Sequence, residues 1–202
     1  GTFRVKGDVI DINLGYTDAF VLRIEMFDDT IERIIEVDPI TYNILNAYRI
    51  YHIFPATEYA RLQPQILHAA NTIEAELEQQ LAYLQSQNKL VEKQRLEQRT
   101  RYDIEALREF GYCSGIENYS RHIDQREPGQ RPFTLFDYFD DDFLFVVDES
   151  HVSIPQVKGM FNGDRSRKQV LVEYGFRLPS ALDNRPLNFE EFLSMANQTV
   201  YV

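Results

Sequence analysis

Apolar and polar positions alternate along the first part of the chain. Phe3 and Val5 flank Arg4, and Val9, Ile10 and Ile12 are set off by Asp8 and Asp11. Val21, Leu22, Ile24 and Met26 repeat the pattern across Arg23 and Glu25. Alternation of this kind predicts strands with one apolar and one polar face. Asp28-Asp29 predicts a turn, and Ile34, Ile35 and Val37 a third run ended by Asp38-Pro39. A fourth run, Ile50 to Phe54, is stopped by Pro55. Short strands of this type predict a small antiparallel sheet, open to a partner on one side.

The period then changes. Ile66, Ala70, Ile73, Leu77, Leu81 and Leu84 fall on one helical face, with Pro64 suited to the first turn. Ser86 to Lys89 lacks apolar anchors and predicts the link of an αα-hairpin. Its second helix runs from Leu90 to Phe110 with Leu96, Thr100, Ile104 and Leu107 inward, and Gly111 stops it. Beyond it the pattern is α/β. Phe143 to Val147 is a continuous apolar run, expected of a strand covered on both faces. A helix is expected over Ile154 to Tyr174, interrupted at Gly159 and Gly163. A short helix is expected over Phe189 to Met195 with Asn188 as N-cap, and a buried strand over Thr199 to Val202. The fold class is thus α+β passing into α/β.

Composition narrows the classes. The chain has 202 residues, and Lys+Arg 21 against Asp+Glu 32 gives a net charge of −11, which excludes indiscriminate binding to phosphate. Basic clusters persist within that total: Lys93, Arg95, Arg99, Arg101 and Arg108, then Arg165, Arg167 and Lys168. The single cysteine, Cys113, cannot form an internal disulfide, and no apolar run approaches the ~20 residues of a membrane span. A cytoplasmic globular protein with no membrane association is expected.

The sharpest chemical signal is Phe143-Leu144-Phe145-Val146-Val147-Asp148-Glu149-Ser150-His151. An apolar strand that delivers two adjacent carboxylates at its C-terminal end suits a nucleotide-hydrolysing motor. Asp148 would hold Mg²⁺ through its water shell and Glu149 would polarise the attacking water. Phosphate binding also requires G-x-x-x-x-G-K-[ST], and the 202 residues contain no such loop. The chain begins and ends inside apparent strands, so it is expected to be a piece of a larger motor, inactive as an ATPase alone. A second signal interleaves basic and aromatic residues: Arg99, Arg101 and Tyr102, then Tyr112, Tyr119, Arg121 and His122, with Phe176-Arg177 and Asn184-Arg185 in the same style. Arginine neutralises phosphate and a tyrosine face accepts an unstacked base, although Tyr112 and Tyr119 are as readily accommodated beneath a loop.

Three long blocks carry a resemblance: RLEQRTRYDIEALREFGYCSGIENYSRH, DYF-x-DDFLFVVDESHV and GMFNGDRSRKQVLVEYGFRLPSALDNRPLNFEEF. With the opening FRVKGDVIDI and IERIIEVDP, they resemble the UvrB family of bacterial nucleotide excision repair. The family pattern is only loosely kept at Asn13 to Phe20 and Arg61 to Gln65. The resemblance implies a superfamily 2 helicase-like protein, loaded by UvrA at damaged DNA and recruiting UvrC for incision. It implies most of a UvrA-interaction domain over residues 1–57, a helical domain over 58–137 and the back of a RecA-like P-loop motor domain over 138–202. The phosphate loop would lie upstream, so ATP and Mg²⁺ are implied only for a full-length protein and none is expected on this chain.

By position, the resemblance assigns Asp148, Glu149, Ser150 and His151 to the Mg²⁺-and-water motif. It assigns Arg4, Lys6, Arg23 and Glu25 to UvrA contact, with Lys6 where relatives commonly have arginine. Tyr59 and Tyr112 match aromatic positions that stack on displaced bases, and Arg99, Glu117 and Arg177 match positions along the DNA path. The alternative is a stand-alone UvrA-docking module of the transcription–repair coupling type, which would lack the DESH tetrad and the long helical pair.

Overall fold

A computed structural model describes residues 1–55 and 59–202. The chain forms two compact units, Gly1–Ala60 and Arg61–Val202. The expected boundary at 57/58 lies outside the described residues.

The first unit is a five-stranded antiparallel meander: β1 (Thr2–Lys6), β2 (Val9–Asn13), β3 (Val21–Phe27), β4 (Thr30–Val37) and β5 (Ile44–Tyr48), hydrogen-bonded in sequence order. Gly7, at φ +59°, closes the first hairpin, and Asp28, at φ 54°, the turn expected at Asp28-Asp29. The register sorts the side chains into rows. Arg4, Asp11, Arg23, Ile35 and Ala47 face one another in turn across all five strands, and Lys6, Val9, Glu25 and Arg33 form the next row on the same face. Phe3, Ile12, Leu22, Glu36 and Asn46 form a row on the opposite face.

The fourth run departs from expectation. Ile50 to Phe54 is not a strand; Ile44–Tyr48 fills that place. Period-two burial could not reveal β5, because all five of its residues are exposed. What ties it down is polar. Buried Glu36 on β4 accepts from Asn46 Nδ2 at 2.7 Å and from the Tyr48 hydroxyl at 2.9 Å. A buried carboxylate must be hydrogen-bonded, and β5 supplies the donors.

In the second unit, α1 (Gln63–Ser86) and α2 (Leu90–Phe110) form the expected hairpin, and every apolar position predicted on both helices is buried. Asn88, at φ 56°, makes the turn, and Gly111, at φ 70°, closes α2 with its N–H on the Leu107 carbonyl at 3.0 Å. A 3-10 turn (Ile116–Tyr119) leads into α3 (Ser120–Ile123). After a second 3-10 turn (Leu135–Tyr138) come β6 (Leu144–Val147), α4 (Ser150–Glu173), a third 3-10 turn (Pro179–Asp183), α5 (Phe189–Ser194) and β7 (Gln198–Tyr201). β6 and β7 pair in parallel, Val147 opposite Tyr201.

Three further expectations are corrected here, the first being the buried strand over Thr199 to Val202: the strand is Gln198–Tyr201, and Val200, Tyr201 and Val202 are exposed. The helix expected from Ile154 begins at Ser150 and runs unbroken through Pro155, Gly159 and Gly163. Pro155, in the second turn, costs the helix the single donor that would reach the His151 carbonyl, and glycine weakens a helix without ending it. The strand expected to be covered on both faces is covered on one: Leu144 is 61 % and Val146 52 % exposed. Phe145 packs edge-on against Phe136 and Phe192, with ring centroids 5.1 and 5.8 Å away. Asn188 caps α5 as expected, accepting from the Glu191 N–H at 2.8 Å.

Candidate functional site

The charged row on the sheet is the most organised candidate surface of the first unit. Arg23 donates from Nε and Nη2 to the two oxygens of Asp11 at 2.7 and 3.1 Å, and Arg4 donates from Nη2 to Asp11 Oδ2 at 2.9 Å. One carboxylate thus fixes two of the guanidiniums that the resemblance nominated. The Arg23 hydrogen bonds hold the Asp11 carboxyl below its usual range against a smaller opposing effect of burial, and Arg4 adds to them. Glu25 pairs with Arg33 at 3.3 Å, while Lys6 is exposed at the end of β1. All four predicted contact residues therefore share one face. Asp11, their organiser, was not predicted; its signal was the strand register that sets Arg4, Asp11 and Arg23 opposite one another.

A second group lies around the loop after α2. Arg99 reaches Asp103 at 3.3 Å and the Ser114 carbonyl at 3.4 Å, and Asp103 also accepts from the Tyr119 hydroxyl at 2.7 Å. This places Arg99 beside the 111–117 loop that carries exposed Tyr112 and exposed Glu117. Tyr119 is instead buried, and burial pushes its phenol well above the usual range, so the two tyrosines have different roles. Cys113 is buried next to it, its thiol pushed up to about 12 chiefly by burial.

Much of the remaining basic–aromatic set is engaged internally. Arg101 pairs with Glu78 at 2.7 Å and Glu97 at 3.1 Å. Arg121 pairs with Glu76 at 3.2 Å and Asp183 at 2.8 Å, and His122 Nε2 lies 2.6 Å from Glu76. Glu76 accepts the Ser180 N–H at 2.8 Å as well, making it the part-buried hub between α1, α3 and the 179–183 turn. Burial alone would raise its carboxyl, but the bonds from His122 and Ser180 and the Arg121 charge together hold it below the usual range. Arg185 forms a bidentate pair with Glu191 at 2.7 and 2.9 Å. Arg177 is half-buried and donates to the Phe176 carbonyl at 2.8 Å, and the Phe176 ring lies 4.3 Å beneath Arg95, one turn before Arg99 on α2. Tyr59 is half-buried in the first unit.

The DESH tetrad sits where the apolar run predicted. Asp148 and Glu149 follow β6 at its C-terminal end, and Glu149, at φ 47°, turns the chain into α4. Asp148 Oδ1 accepts the Glu149 N–H at 2.9 Å, and its carbonyl accepts the Ser153 hydroxyl at 3.0 Å. The Ser150 N–H is engaged by the Val202 carbonyl at 2.8 Å. His151 Nδ1 lies 3.4 Å from Glu149 Oε2, with both side chains exposed. Two solvent-facing carboxylates thus stand at the N-terminal end of a 24-residue helix.

The chain thus combines a five-stranded antiparallel sheet, a long helical hairpin and an acidic pair at the end of a parallel strand. The UvrB interaction domain matches residues 1–59, and the UvrB third helical domain matches residues 64–125. The chain belongs to the UvrB family. It is 58% identical over all 202 residues to the UvrABC system protein B of Bacillus caldotenax, of Enterococcus faecalis and of Bacillus subtilis. It spans 31%, 30% and 31% of those relatives, just under a third of their length. The match over the helical hairpin does not favour the stand-alone docking module. No helix among the described residues is long and apolar enough to cross a membrane.

Proposed function

We propose that this chain supplies the UvrA-docking surface, part of the DNA path and the water-activating motif of a UvrB protein acting in the cytoplasm. On this reading residues 1–57 dock UvrA, 58–137 line the DNA and 138–202 form the back of the first RecA-like motor domain. The full-length protein is an ATP-driven, helicase-like damage-verification subunit, loaded by UvrA onto damaged DNA and recruiting UvrC to complete the excision nuclease. The observation that carries the reading is the position of Asp148 and Glu149 on the carboxyl rim of a parallel strand pair, where open α/β sheets bind their ligands.

The residues fit the implied nucleotide chemistry. Mg²⁺ would be held by nucleotide phosphates and water, with the exposed Asp148 reaching its water shell. The bound Mg²⁺–ATP would supply the phosphoryl group and its charge neutralisation. Glu149 would orient the attacking water and take its proton, while Asp148 Oδ1 accepts the Glu149 N–H at 2.9 Å. In the docking unit, Arg4 and Arg23 present N–H donors in fixed orientation because Asp11 holds them. Along the DNA path Tyr59 and Tyr112 accept displaced bases, Arg99 and Arg177 take phosphate, and Glu117 borders the path.

The test compares the purified 202-residue chain with a full-length UvrB that contains it. The chain is expected to bind UvrA without hydrolysing ATP, and Glu149→Gln in the full-length protein is expected to abolish turnover while sparing UvrA binding. ATP turnover by the 202-residue chain that Glu149→Gln removes overturns the reading.

A further inference from the structure

The loop between β4 and β5 closes on a residue in an uncommon conformation. Tyr42 sits at φ 60°, in the left-handed region, where a bulky aromatic residue is a genuine outlier. The loop around it is tied down. Asp38 Oδ1 accepts the N–H groups of Ile40 at 2.9 Å and Thr41 at 2.6 Å, the Tyr42 N–H reaches the Asp38 carbonyl at 3.0 Å, and the Asp38 N–H reaches the Asn43 carbonyl at 2.9 Å. Tyr42 gains no burial from this arrangement, since it is 61 % exposed.

What the conformation does achieve is a wall. Tyr42, Asp38 and Pro39 border a groove of about 340 Å³ whose floor is Arg4, Asp11 and Arg23. The chemistry of that floor selects its occupant. Asp11 is saturated by three guanidinium bonds, and Asp38 is turned onto its own loop. The remaining N–H groups of Arg4 and Arg23 make no hydrogen bond among the described residues. The groove therefore offers donors beside an aromatic surface, which matches a carboxylate on a short aliphatic stem.

We infer that Tyr42 is a further docking residue: with Arg4 and Arg23 it forms a pocket for one acidic side chain of UvrA, the carboxylate on the guanidiniums and the stem against the ring. The inference rests on the UvrA-docking reading and adds to it a residue and a chemistry. Left-handed strain at a site that faces outward is retained where a partner uses it.

Calorimetric titration of UvrA into the 202-residue chain tests this, with thermal melts of each variant alongside. Tyr42→Gly should keep or raise the melting temperature, because glycine adopts φ 60° freely, yet weaken UvrA binding about tenfold. Tyr42→Phe should bind within about twofold of the original, and Arg4→Ala should lose less affinity in the Tyr42→Gly background than alone, because both touch one side chain. Unchanged affinity in Tyr42→Gly while Arg4→Ala weakens binding overturns the inference and leaves the docking reading standing. Additive losses overturn it too. Absence of UvrA binding by the original chain removes the docking reading and the inference together.

Discussion

Gly175 abuts the backbone of Glu92 so closely that a β-carbon at position 175 would overlap the Glu92 carbonyl. This contact seats the end of α4 on the first turns of α2, where Arg95 donates to the Tyr174 carbonyl at 2.6 Å and Lys89 pairs with Glu173 at 3.5 Å. Gly175 also has φ 70°, so both backbone conformation and space demand glycine. Gly175→Ala is expected to destabilise the chain by about 2–4 kcal/mol. Gly111→Ala, at φ 70° with open space around it, should lose only about 1 kcal/mol. Urea denaturation of both variants checks the contrast.

Asp137 gives a pH signature. Arg131 grips its carboxylate at 2.6 and 3.0 Å, and this, with the N–H and hydroxyl of Thr134 and against a modest effect of burial, lowers its pKa from 3.8 to about 2. A carboxyl lowered on folding adds stability that is complete above its unfolded value of 3.8 and disappears as pH falls through about 2. Asp137→Asn should therefore melt at a lower temperature at pH 5, by about 1 kcal/mol after allowance for solvent screening. The two melting curves should converge as pH approaches 2. A gap that stays constant across that range refutes the assignment.

Removing the charge of the Glu76 hub leaves Arg121 and His122 facing a neutral amide in a site largely closed to water. Glu76→Gln should destabilise the chain by about 2–4 kcal/mol, with Asp183 still partnering Arg121. Because the Glu76 carboxyl is lowered on folding, its contribution is present above 4.5 and is lost as pH falls below that value. Chemical denaturation at pH 7 and pH 4 should show a smaller difference between variant and original at the lower pH.

The rim carboxylates should behave in the opposite way. Asp148 and Glu149 are exposed, so Asp148→Asn and Glu149→Gln should each change stability by no more than about 0.5 kcal/mol. In a full-length UvrB each should nonetheless abolish ATP turnover. Paired melts and phosphate-release assays separate the two effects.

The helical hairpin was the most legible part of the chain, because Leu96, Ile104 and their counterparts on α1 repeat at helical spacing and their burial is a local property. The strand pattern reached four of the five sheet members through three runs, the first of which, Phe3 to Ile12, is divided by the Gly7 turn into β1 and β2. It missed Ile44–Tyr48 because a strand held by Asn46 and Tyr48 on one buried carboxylate leaves no apolar rhythm. It misjudged Phe143 to Val147 because an apolar run shows what a strand could bury, whereas Leu144 and Val146 have nothing over them among the described residues. The strand-end motif nominated Asp148 and Glu149 as a pair, and the resemblance nominated Arg4 and Arg23. Asp11 and Glu76 escaped notice because each acquires its role from partners distant in sequence, which only register and helix docking bring together.

The buried thiol of Cys113 turns the neighbourhood of Tyr112 into a clock. It is the only cysteine in the chain and is buried, its thiol pushed up to about 12, so alkylation is expected when the loop lifts from α2. Labelling rates then count those openings directly, and an oligonucleotide seated on the adjacent tyrosine should lengthen the interval between them.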